Sequence, residues 1–544
     1  EQPVGIGSVK TNIGHAESAA GIAGLLKVIL AFSHEHLPPS LHFRDPSPHV
    51  PWSKLPVRVV SERVSWGLSE KRRIAGVSSF GMSGTNAHVI LEEPPRREEK
   101  PSVNAPLYLV PFSAKTPDAL TALAKSYASW LSTTNAQLHD IAYTASLRRS
   151  HFAQRLSVTI ASKEELATVL DAFATGQVPA GLVMGKAPIH PPKVVFVFSG
   201  QGSQWLGMGR QLYRDEPTFR DVISACDAAL RKEIGCSIID ELHKPENTSR
   251  LAKTLVAQPA LFAIGVALAR LLQSWGVVPS ALIGHSVGEI AAAHISGMLD
   301  LDQAARLVSL RARIMQKATG LGKMVSVSLT EEEARQTIAG LEHRLGIGAI
   351  NDPDSVVLSG DTEAVDKLVA ELSSRGVAVR PLRVDYAFHS PQMESLAAEF
   401  LSALGKLDSK PATIPLISTV TGKPVAANEV DAAYWARNIR QTVRFSEAVS
   451  AAVSNDRPLF VEVGPHPVLA ISIERTLAAK DIEIGVVPTL RREKDERKQV
   501  LTTVGALHAH GYAIDGKQFY PDGGRVVQLP TYRWQRERYW IDSD

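Results

Sequence analysis

At 544 residues the chain is too long for one hydrophobic core, and about three or four domains are expected. Its 44% hydrophobic and 21% charged residues are those of an ordinary globular protein, and a net charge of +3 is too weak a field to imply nucleic acid. Two cysteines, Cys226 and Cys236, exclude a disulfide framework and a four-cysteine zinc site, no unbroken apolar run is long enough for a membrane span, and a reducing, cytoplasmic setting is expected. The chain opens in mid-pattern at Glu1–Gln2–Pro3 without a signal peptide, as a piece of something longer would.

In chain order, Val4 to Val9 reads as a strand, followed by Lys10–Thr11–Asn12–Ile13–Gly14–His15. A helix is expected from about Glu17 to Ser33, apolar on most faces and therefore buried. Arg73 to Ser79 is a strand running into Gly84–Thr85–Asn86–Ala87–His88, and Val89 to Glu92 closes the unit. His34 and His36 lack a third ligand at helical or strand spacing, so no metal site is expected. A histidine and a lysine (His15, Lys10) without a nucleophile make no condensing enzyme. Pro94 to Pro101 is a charged, proline-flanked linker. Beyond it, strands at Leu107–Ser113 and Arg155–Ile160 alternate with helices at Thr116–Leu131, Leu138–Arg148 and Lys163–Thr175, a small α/β domain with no catalytic constellation.

From 191 the pattern changes. Val194–Phe198 is fully apolar, as a strand buried in a parallel sheet would be, and ends in Ser199–Gly200–Gln201–Gly202–Ser203–Gln204–Trp205. The glycine spacing fits neither nucleotide fingerprint. A helix is expected from Gln258 to about Trp275. Then comes Leu282–Ile283–Gly284–His285–Ser286–Val287–Gly288–Glu289: strand, sharp turn, helix, with a serine between two glycines. Such a turn strains the serine's dihedrals, leaves no room for flanking side chains, and sets the next N–H at a helix N-terminus, where it can stabilise an oxyanion. Ser286 is the candidate nucleophile. On the helix Leu301–Lys317, Leu307, Leu310 and Ile314 form the apolar stripe and place Arg311 beside the buried edge. A guanidinium there suits two-pronged grip on a carboxylate. A β-α-β-β-α-β alternation over about 322–385 is a ferredoxin-like insert, and it ends at Tyr386–Ala387–Phe388–His389. His389 lies where the chain returns to the main domain, a natural cleft wall and the candidate base. After 490, a helix at Lys498–Gly511 and a strand at Arg525–Leu529 precede Pro530 to Trp540, whose aromatics and arginines are expected to pack on protein rather than on nucleic acid.

Three resemblances follow. Lys10 to His15 with Gly84 to His88 resembles the C-terminal part of a β-ketoacyl synthase, of thiolase-like fold; there His15 would assist condensation and Lys10 support it, and the missing nucleophile implies an inactive remnant. Residues 95–190 resemble the linker between ketosynthase and acyltransferase. Residues 191–490 resemble malonyl-CoA:ACP transacylases, specifically the acyltransferase domain of modular type I polyketide synthases. The matching motifs are Gly200–Gln201–Gly202–Ser203–Gln204, Gly284 to Glu289, Leu310 to Arg313, Tyr386 to His389 and Val463 to Leu469. Residues 491–544 resemble the linker that follows such a domain. The implied fold is multidomain α/β: a thiolase-like fragment (1–94), a small α/β linker domain (95–190), an α/β-hydrolase-like core carrying the ferredoxin-like insert (191–490), and the terminal linker.

The resemblance implies a Ser286–His389 dyad, with the Asn438 backbone carbonyl orienting the imidazole and the Gln201 and Val287 N–H groups as oxyanion hole. Arg311 would hold the acyl carboxylate, and Tyr386 and Phe388 would border the acyl group. No cofactor is implied; malonyl-CoA or methylmalonyl-CoA is the substrate, and the acceptor is phosphopantetheine on a separate acyl carrier protein. Tyr386–Ala387–Phe388–His389 mixes the family's malonyl and methylmalonyl signatures. The bulk of Phe388, with Val287 and Ala260, favours malonyl. The implied partners are acyl-CoA, the carrier protein and the rest of the synthase module, in a homodimeric parent, without nucleic acid or membrane. The rival readings are a thioesterase of the α/β-hydrolase class and a non-catalytic docking fragment.

Overall fold

The structure is a computed structural model describing residues 3–67, 72–95, 105–382, 384–453, 458–482 and 484–539. Most of the expected linker at 94–101, together with Arg383 and Trp540, lies outside the described residues. The chain divides into two compact units, Glu1–Glu99 and Lys100–Asp544.

In the first unit, Val4–Ile6 pairs in parallel with Val57–Val59, and Ile74–Phe80 forms an antiparallel hairpin with Asn86–Glu92. The apolar helix is observed at Ala20–His34, after a single 3-10 turn at Glu17–Ala19. The expectation that it is buried is wrong for this unit: only Ala31 and Phe32 are, while Ile22, Leu26 and Leu30 are more than half exposed. Its composition is apolar all round, which calls for cover on every side. One side packs on the hairpin, close enough that a Cβ on Gly24 would lie 3.1 Å from Val77.

The second unit begins with a three-stranded antiparallel sheet in the order Tyr108–Ala114, Gln154–Ile160, Leu182–Lys186. The third strand was not expected; Gly185 and two charged or flexible neighbours hide its alternation. The helix Glu496–Ala509 docks on this sheet, with Ser157 Oγ 3.0 Å from His508 Nδ1 and Arg155 Nη1 donating to His508 O at 2.9 Å. The tail continues along the same domain: His139 Nε2 meets Gly523 O at 2.9 Å, and Arg149 Nη2 donates to Leu529 O at 2.8 Å. Arg525–Leu529 is not the expected strand. Its N–H groups go to side chains instead, Arg525 to Asp140 Oδ1 and Val527 to Thr144 Oγ1, which satisfies the backbone without a strand partner.

The core of the unit is a five-stranded parallel sheet in the order Leu416–Ile417, Ala281–Gly284, Val194–Phe198, Leu459–Val463, Val486–Pro488. Val194–Phe198 is buried along its whole length, which its unbroken apolar run requires with helices on both faces. The long helix runs Thr254–Ser274, four residues earlier than expected, because Pro259 is accommodated inside it rather than near its start. It is apolar enough to span a bilayer, and almost all of it is buried in the core. The insert carries strands Gly322–Val327, Leu345–Asp352, Ser355–Asp361 and Val379–Pro381, antiparallel in the ferredoxin-like order 4-1-3-2, with helices Glu331–Thr337 and Thr362–Ser374. Val443–Arg444 of the main domain adds to its edge, in parallel with Leu345–Asp352. The insert is thus hydrogen-bonded into the body that carries the elbow.

Candidate active site

The strand Ala281–Gly284 delivers Ser286 to a turn that only glycine can flank. Ser286 has φ of 54°, the left-handed region. A Cβ on Gly284 would lie 2.2 Å from Glu289 backbone, and one on Gly288 would lie 2.4 Å from Phe198 O. The helix Gly288–Ile295 starts immediately, so the Val287 N–H sits at its first turn. Among the described residues neither the Val287 N–H nor the Gln201 N–H has a hydrogen-bond partner. Both are therefore available to a developing oxyanion.

The structure brings three of the sequence candidates together. Ser286 Oγ is 2.8 Å from His389 Nε2, and Arg311 Nη2 donates to the same Oγ at 2.9 Å. His389, also left-handed at φ 59°, is buried, and burial together with the nearby Arg311 charge pulls its pKa down to about 3. The ring is therefore neutral at neutral pH, with Nε2 free to take the serine proton. Arg311 is 1% exposed on the helix Leu301–Met315; burial pulls it down to about 9, opposed by buried Glu289, so it remains a cation at neutral pH. Among the described residues its Nε has no hydrogen-bond partner, which leaves a donor of a buried cation open to a further acceptor.

The imidazole is oriented by the backbone carbonyl of Gln441, 3.0 Å from His389 Nδ1, and not by that of Asn438. The reason lies in helix geometry. Gln441 is the C-cap of the helix Ala432–Arg440 and has extended backbone, which turns its carbonyl away from the helix axis, whereas Asn438 lies in the last turn with its carbonyl along the axis. The end of that helix also carries partial negative charge, which favours an imidazolium as it forms. Asn438 supports the elbow from behind instead: its Nδ2 donates to Glu289 Oε2 at 3.2 Å and lies 3.4 Å from Ser286 O.

Three further groups had no sequence signal beyond their place in motifs. Glu289, fully buried, accepts from Tyr434 Oη and, at 2.7 Å, from Thr419 Oγ1; burial pushes its pKa up. His285 meets Asn351 Oδ1 of the insert at 3.0 Å, and its pKa is lowered by burial. Gln258 accepts from Arg311 Nη1 at 2.7 Å. An aromatic wall precedes the base in the chain: Tyr386 and Phe388 are buried and stacked, centroids 3.8 Å apart at 17°. Tyr386 Oη accepts from Gln201 Nε2 at 2.7 Å. Val287 is buried in the core, 2% exposed. His15 and Lys10 lie exposed in the first unit, His15 Nδ1 accepting the Glu17 N–H at 2.9 Å.

A serine bonded to a neutral buried histidine, with free N–H groups and a guanidinium on the same hydroxyl, can form a covalent ester with an acyl group that carries a negative charge. Comparison with known proteins agrees with that chemistry. The family described as acyl transferase domain matches residues 195–514, the β-ketoacyl synthase C-terminal domain matches 1–44, and the ketoacyl-synthetase C-terminal extension matches 46–158. The chain is 41% identical, over its full length, to polyketide synthase GfsA of Streptomyces halstedii, and 39% identical over 99% of its length to erythronolide synthase EryA2 of Saccharopolyspora erythraea. It spans 7% and 15% of the lengths of those two relatives. Among solved structures, the acyltransferase domain from module 8 of the salinomycin polyketide synthase superposes with a TM-score of 0.73 at 37% identity, covering 76% of this chain and 98% of that one. The acyltransferase domain of SpnD, in complex with 2-(pent-4-yn-1-yl)malonyl, gives 0.66 at 33% identity, covering 75% and 97%.

Proposed function

This chain belongs to the acyl transferase domain family, in the setting of the modular polyketide synthases, and from that premise we propose that it loads a malonyl-type extender unit from CoA onto an acyl carrier protein through an ester on Ser286. The observation that carries the reading is Arg311 Nη2 on the nucleophile's own oxygen, 2.9 Å away in a buried site. A guanidinium so placed can turn from the hydroxyl to a substrate carboxylate, and an acyl group without one leaves it unpaired, at a cost of several kcal/mol.

Ser286 Oγ attacks the thioester carbonyl while His389 Nε2 takes its proton. The Gln201 and Val287 N–H groups receive the oxyanion, and the imidazolium, steadied by the Gln441 carbonyl, protonates the departing CoA thiolate. The second half reverses the roles. The phosphopantetheine thiol gives its proton to His389 and attacks the ester, and Ser286 recovers its hydrogen. The Tyr386–Phe388 pair supports malonyl over methylmalonyl in this reading, since a bulky ring buried and stacked just before His389 in the chain leaves an α-methyl less room than a small residue would. His15 and Lys10 take no part in the transfer step of this reading. Neither a resident cofactor nor nucleic acid enters the scheme, and the rest of the module supplies the carrier.

Brief exposure to malonyl-CoA, followed by intact-mass and peptide mapping, is expected to find one malonyl ester on Ser286. Its absence overturns the proposal, and rapid release of free malonate without transfer to a carrier favours a thioesterase. Equimolar malonyl-CoA and methylmalonyl-CoA in competition are expected to load malonyl about tenfold faster, the scale of one methyl group; a methylmalonyl preference overturns that part alone.

A further inference from the structure

Gln258 is 1% exposed and touches no reacting atom, yet it is bonded to the one cation in the site that does. A guanidinium has only donors, so Gln258 must turn its amide oxygen to Arg311. The amide nitrogen then faces the other way, 3.3 Å from Gln201 Oε1. That choice turns the Gln201 nitrogen outward in its turn, to Tyr386 Oη at 2.7 Å and Thr254 Oγ1 at 3.2 Å. The orientation of both amides is thus dictated from Arg311 outward, and the run ends on the aromatic wall.

We propose that Gln258 is a positioning residue that pins the Arg311 guanidinium and, through Gln201, ties it to the Tyr386–Phe388 wall. The inference rests on the reading of Arg311 as the carboxylate clamp. With Nη1 held on Gln258, the fork pivots about a fixed point, and Nη2 alone exchanges Ser286 Oγ for a substrate oxygen. The distance from clamp to wall, which is the space for the α-carbon, is then set by two amides rather than by the flexible arginine stem.

The test compares the full chain with Gln258→Leu and Gln258→Glu. Three rates are read: Ser286 acylation by malonyl-CoA, acylation by acetyl-CoA, and labelling by a fluorophosphonate, which needs the nucleophile, its base and the oxyanion donors but no substrate carboxylate. The Gln258→Leu change is expected to slow malonyl loading about 30-fold, a hydrogen bond to a charged group, with the other two rates within about threefold. Gln258→Glu, nearly isosteric, sets a carboxylate on Arg311 in competition with the substrate and is expected to lose malonyl loading more deeply, with labelling retained. Unchanged malonyl loading overturns the inference, as does an equal fall in all three rates or failure of both variants to fold, either of which makes Gln258 merely structural. A wild-type chain that takes no malonyl group overturns the functional reading and this inference with it. A wild type that loads malonyl beside variants that lose no selectivity overturns the inference alone.

Discussion

Arg311 acts on its neighbours as well as on substrate. Its charge is one of the causes that hold His389 at about 3, below the ordinary value of 6.5, so its removal must let the imidazole rise toward that value. Arg311→Ala is expected to cut kcat/KM for malonyl transfer about 100-fold, ~3 kcal/mol, as loss of a buried charge partner does. It is also expected to move the acid limb of fluorophosphonate labelling upward in pH, because protonated His389 cannot serve as base; a limb that stays put denies the coupling. At this scale the sequence was informative where chemistry needs a side-chain type. Ser286, His389 and Arg311 stand in spaced motifs and converge in space. Gln441 was not legible, because it works through a carbonyl that every residue possesses. Its neighbour Asn438 carries the recognisable side chain, and that side chain serves the elbow.

Elements decide how steadily those atoms are held. The elbow strand and the insert were both readable, the first from its glycines and the second from six alternating segments. What could not be read was their junction. Ser359, fully buried on the insert strand Ser355–Asp361, donates to Phe388 O at 2.6 Å and so fixes the carbonyl one residue before His389. A buried serine in a strand looks like any small core residue until its partner is known. Ser359→Ala is expected to lower kcat about tenfold while leaving the melting temperature within a few degrees, since one neutral hydrogen bond is worth about 1 kcal/mol and the loop retains its others. Steady-state rates beside a thermal melt check this; an unchanged kcat removes the insert from the positioning of the base.

Over the whole molecule, several histidines are stored neutral. Burial lowers the pKa of His285, His294, His389 and His508, and His151 is lowered beside them. The unfolded chain therefore binds more protons than the folded one below the ordinary value of 6.5, and stability rises with pH through that window. Thermal melts from about pH 7 to about pH 5 are expected to show a steadily falling midpoint; a flat profile would mean these rings are protonated in the fold. The division into two units near residue 99 was legible in the charged, proline-flanked stretch of sequence there. The open flank of the helix Ala20–His34 was not, since apolar composition states a need for cover without saying what meets it.

The nucleophile stands on the parallel sheet, while the loop carrying its base is braced by the insert through Ser359 and by the end of the helix Ala432–Arg440 through Gln441. Catalytic competence is thus a measurement of alignment between two sheets joined within one compact unit. Reacting atoms tolerate a misplacement of about 1 Å far less well than packed side chains do. The chain therefore behaves as a gauge: a slight shift of one sheet against the other silences the chemistry before the fold is lost, and activity marks the first yield of the structure rather than its collapse.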